Sequence, residues 1–143
     1  MKPVAVPQGI YVAAKRHGNL VYTSGMTPRS GGVLMYRGIV KANESVESCK
    51  NAVELATNNA LTAASSLLQA GEKICGVLSL NVYIAAEHGF TAHSVLADYA
   101  SNYLQREIGE DGVGTRTTIG VLNLPGNAPV EIQLTAIVSS TPN

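Results

Sequence analysis

The sequence predicts an α+β fold of two layers, in which a mixed sheet carries two helices on one of its faces. Apolar residues recur every three or four positions in two long segments and alternate with polar residues in several short ones, in the order ββ(β)αβαββ. Helices interspersed among strands in this way pack together on one side of a sheet. No repeat, linker or low-complexity segment divides the 143 residues, so we expect one domain over residues 1–143.

The N-terminal part of the chain is predicted to form a β-hairpin followed by a loop. Two β-prone segments, Ile10–Ala14 and Leu20–Ser24, flank a glycine-containing turn. Proline and glycine residues then interrupt the chain before a short β-like segment, Val33–Tyr36. We expect a loop and an edge strand in this region.

A long amphipathic helix is predicted from Glu44 to about Ala70. Asn43 can cap its first turn, and Gly71 is placed to end it. The predicted apolar stripe comprises Val46, Cys49, Val53, Ala56, Ala60, Ala63 and Leu67. Because most of these side chains are small, we expect the helix to pack closely against the sheet.

A buried strand, Ile74–Ala86, and a second helix, Thr91–Ile108, are predicted next. Alternation places an apolar row on one face of the strand and a mixed row, which includes Ser79 and Asn81, on the other. The apolar row is Ile74, Gly76, Leu78, Leu80, Val82 and Ile84, and the apolar side of the helix is Val95, Leu96, Tyr99, Tyr103 and Leu104.

The chain is predicted to end in two strands, Arg116–Leu122 and Val130–Val138, joined by a type II turn at Pro125-Gly126. On the last strand Glu131 belongs to a polar row, and on the preceding strand Arg116 shares a row with Thr118. We therefore expect both charged residues on the face of the sheet that the helices leave uncovered.

The low content of charged residues predicts that this uncovered face contacts another subunit. Charged residues make up 14% of the chain, whereas about 25% is usual. A mixed face with few charges is better suited to a subunit interface than to open water. A homo-oligomer is the natural form of such a protein.

Composition also weighs against several functional classes. Ten basic residues balance ten acidic ones, so the cationic surface that nucleic acids require is not predicted. Cys49 and Cys75 are too few for a disulfide framework and are predicted to be buried thiols. His88 and His93 lack both the spacing and the third ligand of a metal site. With no secretory signal and no apolar run of membrane-spanning length, we expect a cytoplasmic protein.

Arg116 and Glu131 are the candidate functional residues. A guanidinium group binds a carboxylate through two parallel hydrogen bonds, and a glutamate can orient or deprotonate a water molecule. The alternative is an Arg–Glu ion pair or two solvated charges, which strand alternation alone favours.

Two segments of the chain resemble the Rid family, the reactive intermediate deaminases also called YjgF-like proteins. "TRTTIGVLNLPGNAPVEIQLTAIV" matches the family pattern of an arginine, a β segment, V-x-x-L-P and then E-I. "YVAAKRHGNLVYTSGMTP" matches the tyrosine, G-N and T-S-G-x-x-P pattern at the same spacing. With both motifs in order, the resemblance covers nearly the whole chain.

The resemblance implies a chorismate-mutase-like fold, a homotrimer with clefts between subunits, and hydrolysis of small enamine or imine acids such as 2-iminobutanoate to 2-keto acids and ammonia. No metal or organic cofactor is implied. By position, Arg116 matches the arginine that holds the substrate carboxylate, and Glu131 the acid associated with the attacking water. Tyr11 matches the tyrosine that lines the cleft, and Ser24-Gly25 matches the backbone segment beside it. Thr118 stands where many members have a cysteine.

The sequence departs from the family pattern at several positions. Met26 replaces a common glutamine, Ile10 a common proline and Leu96 an asparagine on the second helix, while the loop over residues 28–42 is longer than in compact members. These departures leave the substrate open. They also leave open a second function, in which a trimer binds small carboxylate metabolites without turnover. A ribonuclease activity, which is attached to some relatives, is not favoured by the charge distribution.

Overall fold

The structure, a computed structural model that describes residues 3–140, contains one five-stranded sheet, a two-stranded hairpin and two α-helices. The strands are β1 (Ala14–His17), β2 (Leu20–Thr23), β3 (Arg29–Ser30), β4 (Val33–Leu34), β5 (Glu72–Ala85), β6 (Thr115–Val121) and β7 (Val130–Ser140), and the helices are α1 (Lys50–Ser65) and α2 (His93–Ile108). The main sheet has the order β1-β2-β7-β5-β6, and only β5 and β6 are parallel. The predicted α+β class with a mixed sheet is confirmed.

Both helices pack on one face of the main sheet. β5 and β7 contribute fully or almost fully buried apolar side chains to this face, and α1 contributes alanines that are 0% exposed. The central members are Leu80, Val82, Ile84, Val130, Ile132, Leu134, Ala56, Ala60, Ala63 and Ala64. Small side chains let the helix axis approach the sheet closely, which is the packing that the sequence predicts.

The first helix is shorter than predicted. A 3-10 helix over Val46–Cys49 precedes α1, which ends at Ser65 rather than near Ala70. The hydroxyl of Ser66 donates to the backbone oxygen of Ala63 at 2.6 Å, and such local bonds compete with the regular helical pattern. Gly71, with φ of 82°, therefore lies in the turn into β5 and not directly after the helix.

Strand β5 contains two bulges that break the predicted alternation. Its register against β7 shifts between Ile74 and Gly76 and again between Val77 and Ser79. An extra residue in one strand reverses which face the next side chain takes. Val77 is consequently buried and Leu78 is 47% exposed, so the prediction that Leu78 belongs to the apolar row is wrong.

The N-terminal hairpin begins later than predicted, because β1 starts at Ala14 and Ile10 is fully exposed. The predicted edge strand Val33–Tyr36 instead forms its own hairpin, in which β4 pairs with β3. This small hairpin is attached to α1, where the amide of Asn59 donates to the backbone oxygens of Thr27 and Arg29.

Within residues 3–140, neither α-helix packs on the second face of the main sheet, and this face is mixed in character. Neighbouring strands place Asn81 beside Gln133, whose side chains share a 2.7 Å hydrogen bond, and Tyr83 beside Glu131. Tyr22 and Ile119 on the same face are 49% and 44% exposed. We call this surface the helix-free face. Among residues 3–140, no helix is long and apolar enough to cross a membrane.

Candidate functional site

Arg116 lies on β6, and its side chain is directed to the helices. The strand register places it beside Leu80 of β5, which is 3% exposed and belongs to the helix-covered core. The Arg116 side chain is itself only 19% exposed. The expectation that Arg116 shares the helix-free face with Glu131 is therefore wrong.

Polar groups of α2 hold the guanidinium of Arg116 in place. Nη2 donates to the hydroxyl and the backbone oxygen of Ser94, at 2.9 and 3.2 Å. Nη1 donates to the hydroxyl of Ser101 at 3.0 Å and to the carboxylate of Asp98 at 2.8 Å. Arg116 thus forms its ion pair with Asp98, so the alternative of an ion pair between Arg116 and Glu131 is wrong.

The partners of Arg116 were not predicted, although the sequence contains a pattern that identifies them. Ser94, Asp98 and Ser101 recur at i, i+4 and i+7, which places three polar side chains on one side of a helix. The same helix also carries an apolar stripe, which is the more prominent of the two patterns in the sequence. We call Arg116, Thr118, Ser94, Asp98 and Ser101 the arginine cluster.

Thr118 follows Arg116 on the same side of β6, and its hydroxyl is buried. Among residues 3–140 this hydroxyl has no hydrogen-bond partner. A buried polar atom without a partner is costly and calls for an explanation such as a bound water or ligand.

His93 of α2 lies beside the same row of β6, because its Nε2 lies over Gly120 while its ring meets Phe90 edge to face. His93 is therefore half-buried.

Glu131 lies on the helix-free face, where its carboxyl group is packed over Gly25. A Cβ atom at Gly25 would lie 2.6 Å from Oε2 of Glu131, so this contact requires glycine. None of the described residues donates a hydrogen bond to the carboxyl group. Burial disfavours the charged form and raises the pKa of Glu131 above its ordinary value.

Tyr11 and Ser24 lie next to the Gly25–Glu131 contact. The Ser24 hydroxyl donates to the backbone oxygen of Val12 at 2.6 Å, and the Tyr11 hydroxyl accepts from the backbone N–H of Gln8 at 3.0 Å. Tyr11 and Gly25 line the same shallow depression. We call Tyr11, Ser24, Gly25 and Glu131 the glutamate cluster.

The two clusters lie on opposite faces of the sheet. Along β7 and β5, Glu131 is paired with Tyr83, while Arg116 is paired with Leu80, and odd and even positions of this part of β5 face opposite sides. A single molecule that used both residues would need to act across its own sheet. Arg116 and Glu131 can therefore meet one small ligand only if they come from different copies of the chain.

A cavity of about 330 Å³ lies apart from both clusters. The segment over residues 35–40 forms one wall, so part of the unusual loop over residues 28–42 serves to enclose it. Leu96 of α2 also lines this cavity and is 1% exposed. Leu96 is therefore a core residue, whereas Ser94, Asp98 and Ser101 of the same helix contact Arg116.

Other candidate groups are distributed without forming a centre. Cys49 is buried and Cys75 is partly buried, and both are free thiols. Within residues 3–140, no three side chains of the metal-binding types His, Cys, Asp and Glu lie close enough together to hold an ion.

Comparison with known proteins relates the chain to one family. A family model described as Endoribonuclease L-PSP matches residues 3–138. The chain is 28% identical over 133 residues to a 2-iminobutanoate/2-iminopropanoate deaminase from Dermatophagoides farinae, which covers 92% of this chain and 88% of that protein.

Solved structures extend the comparison to the fold. The crystal structure of Atu1372, a protein of unknown function from Agrobacterium tumefaciens, is 32% identical with a TM-score of 0.85, over 96% of this chain and 86% of that one. The YjgF gene product of E. coli is 17% identical with a TM-score of 0.66, over 94% and 92% of the two chains. The second similarity concerns the fold alone.

Proposed function

The chain belongs to the endoribonuclease L-PSP family, the Rid or YjgF-like proteins, and from this premise we propose that it hydrolyses small reactive imine or enamine acids to 2-keto acids and ammonia. The relative from Dermatophagoides farinae, a deaminase by name, supports this reaction class. We further propose that the protein acts in the cytoplasm as a homotrimer, with sites between subunits and no cofactor.

The observation on which the proposal rests is the state of the Glu131 carboxyl group. It is half-buried and has no hydrogen-bond donor among the described residues, and burial raises its pKa. A carboxyl group to which no described residue donates a hydrogen bond is placed to accept a proton from a ligand or a water molecule. Because its pKa is raised, the Glu131 carboxyl group binds protons more tightly than an ordinary glutamate and is closer to the groups that act as general bases near neutral pH.

Arg116 supplies the second half of the proposed site. The guanidinium of Arg116 is fixed by α2, and the adjacent Thr118 hydroxyl has no hydrogen-bond partner in the described part of the chain. A substrate carboxylate on Arg116 and a water molecule on Glu131 would then approach one another across a subunit boundary. The exposed apolar side chains Tyr22 and Ile119 on the helix-free face support the burial of this face in an assembly.

The proposed reaction needs no covalent intermediate on the protein. A water oxygen attacks the carbon of the protonated C=N bond while Glu131 accepts a proton from the water. The resulting carbinolamine takes this proton on nitrogen, and the C–N bond breaks with its electron pair leaving on ammonia. Glu131, deprotonated again, accepts the hydroxyl proton as the C=O bond forms. Because the protonated imine is already electrophilic, positioning and proton transfer are enough to accelerate it.

A coupled assay tests the proposal. An amino-acid oxidase acting on 2-aminobutanoate generates 2-iminobutanoate, and semicarbazide captures the free imine as a semicarbazone. We expect the protein to lower the rate of semicarbazone formation in proportion to its concentration, with a matching gain in 2-ketobutanoate. Unchanged semicarbazone formation together with saturable binding of 2-ketobutanoate would favour the carboxylate-binding protein instead.

The family description raises endoribonuclease activity as another candidate. The net charge of the chain is zero, and three of its arginines, Arg16, Arg106 and Arg116, are paired with acidic side chains. Binding to the phosphate backbone requires unpaired cationic groups along one surface. The charge distribution therefore favours a small organic acid over RNA.

Gly25→Ala is expected to lower the deaminase activity by about tenfold to a hundredfold while leaving the fold intact. The added methyl group would overlap Oε2 and Cδ of Glu131, at 2.6 and 2.7 Å. Because these atoms end a flexible side chain, the carboxyl group can move aside and the backbone need not shift. Steady-state rates and the melting temperature, measured together, separate the two effects.

A double variant provides the control for Gly25→Ala. If the methyl group acts by displacing Glu131, adding Gly25→Ala to Glu131→Gln should cause no further loss, because the displaced group is already inactive. Losses that multiply would show that Gly25 matters for another reason.

A further inference from the structure

We propose that Asp98 makes the site selective for acids that carry a positive charge on the nitrogen beside their carboxylate. This inference rests on the proposed function, since it assumes that Arg116 anchors the substrate carboxylate. It concerns a residue that neither the family motifs nor the reaction chemistry identified. What sets Asp98 apart is its position and its charge within the arginine cluster.

Asp98 places a negative charge beside the proposed carboxylate anchor. Its Oδ1 lies 2.8 Å from Nη1 of Arg116. A substrate carboxylate on the same guanidinium would be within a few ångströms of this aspartate, and like charges at that distance repel one another. An anchor for plain carboxylates would be weakened by such a neighbour.

The exposure of Asp98 shows where this charge can act. The Asp98 side chain is 60% exposed, against 19% for Arg116, so the aspartate lies at the solvent side of the pair. Its second oxygen, Oδ2, has no partner among the described residues. A ligand that reaches Arg116 from solvent therefore passes a carboxylate that has a free acceptor.

A protonated imine acid satisfies both charges. Its carboxylate can bind the guanidinium, and its N–H groups can donate to Asp98, so that the repulsion is replaced by a charge-assisted hydrogen bond. The product 2-keto acid has the carboxylate but no cationic nitrogen. Asp98 would then favour the substrate over the product and promote release of the product after hydrolysis.

Calorimetric titration of two stable ligands tests this inference. 2-Aminobutanoate carries an ammonium group beside its carboxylate, and 2-ketobutanoate carries none. We expect the wild-type protein to bind 2-aminobutanoate about fivefold more tightly or better, and Asp98→Asn to remove this preference by weakening the first ligand and strengthening the second. Asp98→Ala serves as a second variant that cannot donate to either ligand.

Further variants separate the possible failures. Glu110→Gln removes one exposed negative charge elsewhere and should keep the wild-type preference; an equal change in this variant would assign the preference to net charge and overturn the role of Asp98. If Arg116→Ala abolishes binding while Asp98→Asn keeps the preference for 2-aminobutanoate, the proposed role of Asp98 is contradicted. The role of Arg116 as the carboxylate anchor is then retained. If Arg116→Ala binds both ligands like the wild type, or neither ligand binds the wild type, the anchor and the proposed function fail as well.

Discussion

Arg116→Ala is expected to lower kcat/KM for 2-iminobutanoate by about a hundredfold or more, the largest loss that we expect from one substitution. Truncating one partner of a desolvated, hydrogen-bonded charge pair costs about 2–5 kcal/mol, which corresponds to about 30-fold to several thousandfold. In Arg116→Lys a point charge replaces the planar fork, so an intermediate loss is expected. The coupled semicarbazide assay measures both variants.

The same substitution also removes bonds between β6 and α2, and a control must separate folding from activity. Arg116 donates to Ser94, Asp98 and Ser101, and their loss is expected to reduce the free energy of unfolding by about 1–3 kcal/mol. Arg106→Ala is the matched control, because Arg106 also forms an ion pair, with Glu54, but lies outside both clusters. If Arg116→Ala remains folded and as active as Arg106→Ala, Arg116 is not the anchor.

Much of the fold could be predicted, because the spacing of apolar residues and the residues at turns determine helices, strands and turns locally. Apolar residues at helical spacing identified α1 and α2, and the Pro125-Gly126 turn is present, with Gly126 at φ of 69° and the N–H of Asn127 bonded to Leu124. The bulges of β5 could not be predicted. They depend on pairing with β7, which lies far along the chain, and no local pattern distinguishes Leu78 from the buried residues around it.

The glutamate cluster was easier to predict than the arginine cluster, and the reason is physical. On β7 one row is wholly apolar, so alternation fixes the side on which Glu131 lies. On β6 neither row is wholly apolar, because the side under α2 meets a polar stripe of that helix. In the sequence, a polar row that packs against a polar helix has the same pattern as a row that faces solvent. For this reason alternation alone predicts the wrong face for Arg116.

The placement of the two clusters on opposite faces leads to the second large effect, which concerns mixed assemblies. We propose that each site takes Arg116 from one subunit and Glu131 from the next. Arg116→Ala and Glu131→Gln should each retain only a small residual activity alone, because every site then lacks one of the two groups. Mixed assemblies of the two variants should regain activity, because an intact Arg116 can meet an intact Glu131 at some boundaries.

The extent of recovery can be predicted from the symmetry of a closed ring. In an equal mixture with random exchange, a boundary is intact when its first subunit is Glu131→Gln and its second is Arg116→Ala. Each condition holds for about half of the subunits, so about a quarter of the wild-type activity per site is expected. The measurement requires refolding or coexpressing the variants together, followed by the semicarbazide assay at equal total protein.

A second mixture controls for effects of assembly alone. Arg116→Ala combined with the double variant Arg116→Ala/Glu131→Gln contains no intact arginine, and it should stay inactive although it assembles in the same way. Recovery in the first mixture and none in the second would require that the two residues act across a boundary. If the first mixture stays inactive while exchange of subunits is demonstrated, the two residues do not share a site, because their positions on opposite faces of the sheet leave no route to a common ligand within one subunit.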